Sequence, residues 1–127
     1  MSVRRDPTVE KYFERMPGAR KLFEALIRAC DASGDGNYSV ESSGIALGLP
    51  RHYGYAWLPI RAVPGRPAVY LVLTLRLDRR IDSPRFTEIV EIYPGRYAHH
   101  MILDRPAQLD AELMGWVREA MALSKAR

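Results

Sequence analysis

The chain has 127 residues, 47% hydrophobic and 27% charged, with a formal net charge of +4. At that length folding buries roughly two-thirds of the unfolded surface, so neither cross-links nor metal are required for stability. A single cysteine, Cys30, excludes an internal disulfide framework and a thiolate-rich zinc site. No apolar run approaches the roughly 20 residues of a membrane-crossing helix. The opening MSVRRDPTVEKYF has no apolar leader core. The expectation is one cytoplasmic domain over residues 1–127, with no membrane partner. Of the 19 basic residues only Lys11, Lys21 and Lys125 are lysines. Arginine suits phosphate, but an Ala-, Gly-, Pro- and Arg-rich composition is also what a GC-rich genome writes, and net charge alone says little about function.

Residues 6–16 predict a short helix. Asp6 is a suitable N-cap, Pro7 fits the first helical position, and Val9, Tyr12, Phe13 and Met16 follow helical spacing. After Pro17-Gly18 a second helix carries Leu22, Phe23, Leu26, Ile27 and Cys30 on one stripe, which reads Cys30 as a buried structural thiol. Beyond the loop DASGDGN (31–37) the period changes from 3.6 to 2. Residues 37–42 and 44–49 form a candidate hairpin. In 53–62, YGYAWLPIRA, the residues Tyr53, Tyr55 and Trp57 alternate with smaller ones as an aromatic face. A Pro-Gly turn at 64–65 leads to 68–77, AVYLVLTLRL, with Val69, Leu71, Leu73, Leu75 and Leu77 on one face. The stretch 77–85, LDRRIDSPR, reads as a polar connection, and 86–93 as a strand or a short helix. Pro94-Gly95-Arg96 launches a strand at 97–103. Pro106 opens a last helix, with Leu109, Leu113, Trp116, Val117 and Ala120 on a stripe. The fold class expected is α+β: a meander of about five antiparallel strands, flanked by N-terminal helices and one C-terminal helix.

His99 and His100 are adjacent in the last strand. Neighbouring strand side chains point to opposite faces, so the two imidazoles cannot chelate one ion side by side. Tyr97, His99, Met101 and Leu103 share one face, and Ala98, His100, Ile102 and Asp104 the other. The reading places His99 on the aromatic face and gives His100 a structural role. A shallow ligand-binding site is then expected from Arg96, Tyr97, His99, Tyr55 and Trp57. This would be undone if His99 and Trp57 lay on opposite sides of the sheet. An alternative uses Arg76, Arg79, Arg80 and Arg85 around one connection as a nucleic-acid surface, with the tyrosines and Trp57 stacking bases. Asp78 and Asp82 offset half of that charge.

Residues 31–42 place Asp31, Ser33, Asp35 and Gly36 as a calcium loop would. Ser42 then stands where a bidentate acid is needed and Tyr38 where an aliphatic residue is wanted, so a plain helix-to-strand loop is the better reading. No phosphate-cradling loop, nucleophile–histidine order or HExxH pattern is present. No metal, cofactor or catalytic residue is assigned.

The segments LFEAL (22–26), WLP (57–59), DSPR (82–85), YPGRYAHH (93–100) and LDAELMGWVREA (109–120) resemble the motifs of a small bacterial family, domain of unknown function 5655. The resemblance spans about residues 12–122, and the chain is more weakly similar in architecture to the YdhG-like proteins. It implies helices packed on one antiparallel sheet and carries over no catalytic residue, because the family has no assigned chemistry. Arg105 departs from the family's usual serine before the last helix. The function expected is a binding or interaction module for a small molecule or protein. A nucleic-acid-associated protein is the runner-up, and a small enzyme with a histidine general base comes third. The sequence sets no oligomeric state.

Overall fold

The computed structural model describes residues 6–126. Along the chain run α1 (Pro7–Tyr12), α2 (Ala19–Ala32), β1 (Tyr38–Val40), β2 (Ile45–Leu47), β3 (Gly54–Trp57), β4 (Leu71–Leu77), β5 (Glu88–Tyr93) and β6 (Arg96–Leu103). A 3-10 turn (Pro106–Gln108) and α3 (Ala111–Lys125) follow. Among these residues no helix is long and apolar enough to cross a membrane.

The first helix starts as its residues dictate. The Asp6 carboxylate accepts from the Thr8 amide at 3.0 Å, and Pro7 occupies the first turn. It ends at Tyr12 rather than reaching Met16, with turns over residues 13–15 leading to Pro17-Gly18. α2 then buries Leu22, Phe23, Leu26, Ile27 and Cys30. Burial pushes the Cys30 thiol up to about 11, so it is un-ionised at neutral pH.

All six strands pair antiparallel in the order β1-β2-β3-β4-β6-β5. The class is α+β as expected, with six strands instead of about five. The sheet is not a simple meander either, since β5 lies at the edge beyond β6. Within the undecided segment 86–93, Glu88–Tyr93 form a strand whose side chains are almost all exposed. A strand wet on both faces shows little apolar alternation, which is why its type was illegible.

Leu71, Leu73, Leu75 and Leu77 of β4 join the helices in a single core with Met101 and Leu103 of β6. The connection from β4 to β5 crosses this same face. It carries more apolar anchoring than its polar look suggests: Ile81 and Phe86 are both buried in the core. Phe86 sits against Trp116 of α3 (ring centroids 5.0 Å) and edge-on to His99 (4.8 Å). The Ile81 amide donates to Nε2 of His99 at 3.0 Å. His99 is fully buried.

The last helix also starts differently from expectation. Pro106 opens only a 3-10 turn, closed by Gln108, whose side-chain oxygen accepts from the amides of Asp104 (2.8 Å) and Arg105 (2.9 Å). Asp110 is the N-cap of α3 and accepts from the Leu113 amide at 3.0 Å. An arginine at 105 therefore costs the helix no cap.

Replacing His99 with Leu keeps the volume apolar but orphans the buried Ile81 amide. Urea unfolding should show stability lowered by about 1–3 kcal/mol, with the Ile81 amide losing hydrogen-exchange protection.

Candidate functional site

Strand parity decides which side chains meet. In β6, His99 stands opposite Leu75 on the helix-covered face, and His100 stands opposite Thr74 on the other. Trp57 and Tyr55 of β3 register with Val72 and Thr74, so they share the face of His100. The expected patch of Arg96, Tyr97, His99, Tyr55 and Trp57 is thus not one surface. Tyr97 and His99 face the helices, while Arg96, Tyr55 and Trp57 face the other way. Tyr53 leaves the aromatic face as well: it precedes β3, is buried, and donates its hydroxyl to the Asp35 carbonyl at 2.9 Å. The histidine that joins the aromatic residues is His100, not His99. Both faces of this strand carry apolar residues, so alternation separated the rings without saying which side the helices cover.

On the face without helices a cleft of about 270 Å³ is lined by Ser43, Gly44, Tyr55, Trp57, Thr74 and His100. Its floor is a chain of hydrogen bonds. The Trp57 indole N–H donates to Thr74 Oγ1 at 2.9 Å, and Thr74 Oγ1 lies 2.6 Å from His100 Nδ1. An indole nitrogen only donates, so the hydroxyl oxygen accepts from Trp57; toward Nδ1 it either gives its own proton or accepts one, according to the imidazole tautomer. Nε2 makes no bond to any of the described residues. Because no buried side-chain nitrogen or oxygen among the described residues lacks a partner, Nε2 reaches solvent. The indole and imidazole rings meet edge to face at 6.1 Å.

Thr74 and His100 were missed as site residues. A signal existed: threonine is the one polar residue in the middle of AVYLVLTLRL, on the face opposite the leucine row.

The four arginines of the alternative do not form a shared cationic surface. Arg79 donates two bonds to Glu119, both 2.9 Å, and Arg80 pairs with Asp82 at 3.0 Å. Arg85 bridges Asp110 (2.8 Å), Glu112 (3.0 Å) and the Gln108 carbonyl (2.7 Å) and lies over the Trp116 ring at 6.0 Å. Hydrogen bonding to Arg85 lowers the Asp110 pKa, as Arg79 does for Glu119. Only Arg76 stands apart, at a second cleft that also contains Arg96. A larger hollow beside α1 has mixed charge, Lys11 and Arg15 with Glu14 and Glu41, and gathers no comparable chemistry.

In the loop compared with a calcium site, Asp35 already serves the backbone: one oxygen accepts from Asn37 N (3.0 Å) and Nδ2 (2.9 Å), and the other from Leu49 N (3.4 Å). Among the described residues no three His, Cys, Asp or Glu side chains come together as a metal site would require.

Burial is the main cause that lowers the pKa of both His99 and His100. For His99 the geometry agrees, since protonating Nε2 would set two N–H groups against each other. A lowered folded pKa means that the unfolded chain binds more protons once pH falls below about 6.5. Stability should therefore be fully present above neutrality and decline from about pH 6.5 downward, by up to about 1.4 kcal/mol per pH unit for each histidine. Urea melts between pH 7.5 and 5 will check the slope, and imidazole NMR titrations will check both directions.

Residues 10–124 match a family described as Domain of unknown function (DUF5655). No curated protein and no solved structure matches the chain significantly. The family resemblance read from the motifs thus stands on nearly the full length. The structure also gives those motifs physical roles. DSPR clamps the β4–β5 connection to α3 through Arg85, and the leading Trp of WLP and the final His of YPGRYAHH line the cleft on the helix-free face. Matching the family model over most of its length, this chain belongs to the DUF5655 family.

Proposed function

We propose that this domain is a binding module that holds a small planar ligand in the cleft over Trp57, Thr74 and His100. The observation that carries the reading is the hydrogen-bond chain from indole to hydroxyl to imidazole. It spends the Trp57 N–H inward, leaving ring surface for stacking, and holds the His100 ring with Nε2 turned to solvent. Tyr55 adds a second aromatic ring to the lining, its hydroxyl 3.5 Å from His52 Nδ1. A flat ring bearing a carbonyl or ring-nitrogen acceptor fits that pair of features, and a few placed polar groups in an aromatic cleft are the usual make-up of a small-ligand site.

This reading keeps the polar-aromatic patch with His100 in place of His99. In the tautomer favoured by this reading Thr74 gives its proton to Nδ1 and Nε2 carries the ring's own, which suits a donor rather than a general base. The nucleic-acid reading is weakened because Arg79, Arg80 and Arg85 are already paired with acids. The buried un-ionised thiol of Cys30 suits a reducing compartment, and we read the domain as cytoplasmic.

Uracil, adenine, nicotinamide and lumichrome are suitable probes. At least one should raise the melting temperature by a few degrees and shift the Trp57 indole N–H resonance. His100→Leu should abolish both effects, whereas His100→Gln, which keeps a donor, should retain part of them. The reading fails if binding survives both His100→Leu and Trp57→Leu unchanged.

A further inference from the structure

The second cleft, about 320 Å³, lies at the end of the sheet where β3 and β6 begin and β4 and β5 finish. It gathers positive charge without an acid. Arg76 of β4 registers with Ala98 of β6, and Arg96 lies two residues from Ala98 on the same face. Such diagonal neighbours are about 7–8 Å apart, within the span of two long side chains aimed at one point. His52 and Tyr93 also line the cleft, and no aspartate or glutamate does. Among the described residues Arg76 makes no side-chain hydrogen bond or ion pair. Arg96 donates only to the adjacent Gly95 carbonyl, at 2.9 Å. The arginines of the β4–β5 connection differ from this pair: each reaches a carboxylate. Two guanidinium groups that line one cleft with no carboxylate among its described lining residues repel each other, and an anion between them turns that repulsion into attraction.

We propose that Arg76 and Arg96 form an oxyanion site that receives the phosphate of a small phosphomonoester. The planar donor forks of two arginines match phosphate oxygens pairwise, and a dianion balances two cations. The His52 imidazole and the Tyr93 hydroxyl supply further donors at the rim. The cleft's volume is at the low end for ligand pockets, enough for a phosphate and a short organic group. A nucleic-acid backbone needs a continuing cationic track, and the arginines that would extend it are occupied. The site does not depend on the ring-binding cleft, and its test does not read that cleft.

The test follows the arginine Nε–H NMR signals of the full chain during titration at constant ionic strength. The probes are inorganic phosphate, glycerol 3-phosphate and, separately, a short oligothymidylate, with chloride as control. Phosphate and glycerol 3-phosphate should give saturable shifts at Arg76 and Arg96. Arg76→Gln and Arg96→Gln should each weaken binding about tenfold, with circular dichroism and melting temperature near those of the parent. Arg80→Gln, on an exposed arginine outside the cleft, should leave binding unchanged. Absence of saturable shifts, or unaltered binding in both cleft variants, would overturn the proposal. So would oligothymidylate binding more tightly than glycerol 3-phosphate, which would make the surface a nucleic-acid one.

Discussion

One buried hydrogen bond, from the Ile81 amide to Nε2 of His99, fixes the path of the chain between β4 and β5. The strand that follows β4 in sequence is not its neighbour in the sheet, so ten residues must cross the helix-covered face and return at the far edge. Crossing a core exposes backbone to a place without water, where an unpaired amide is costly. His99 supplies the acceptor at that point. With the amide satisfied, Ile81 and Phe86 add their apolar surface to the core, each worth about 1.5–3 kcal/mol as an upper figure. Arg79 and Arg85 then tie the two ends of the crossing to α3.

The same pleat that buries His99 exposes His100. Twin histidines suggest a joint task, yet the strand gives them environments of opposite kind. One ring is a neutral acceptor in the core; the other turns Nε2 to the surface, held by Thr74 and flanked by Trp57. A cross-strand register does the positioning: Thr74 is opposite both Tyr55 on one side and His100 on the other. Tyr55, Trp57, Thr74 and His100 therefore stand on three adjacent strands, and these groups keep fixed spacing without a ligand to order them.

Charge follows a similar division. The net charge of +4 is not spread as a general cationic coat. Arginines on the connection act as clamps, with carboxylates whose pKa values they depress, while Arg76 and Arg96 remain together at the end of the sheet without an acid between them. Chain-wide charge could not distinguish these uses, because an arginine in a clamp and one in an open cleft count alike.

Much of the local architecture was legible. Asp6-Pro7 marked a helix start, the α2 stripe placed Cys30 in the core, and the leucine row of β4 named the buried face of the central strand. Adjacent positions in a strand had to diverge, so the separation of the two histidines followed from the sequence. These are properties of residues within a few places of one another, set by backbone geometry and side-chain size. The tertiary structure alone decided that β6 pairs with β4 while β5 takes the edge, that the helices cover the face of His99, and that Tyr53 turns into the core. It also decided which arginines meet acids. Each of those outcomes depends on contacts between residues far apart in the chain, where pairing and burial compete across the whole molecule, and no local period records which of them wins.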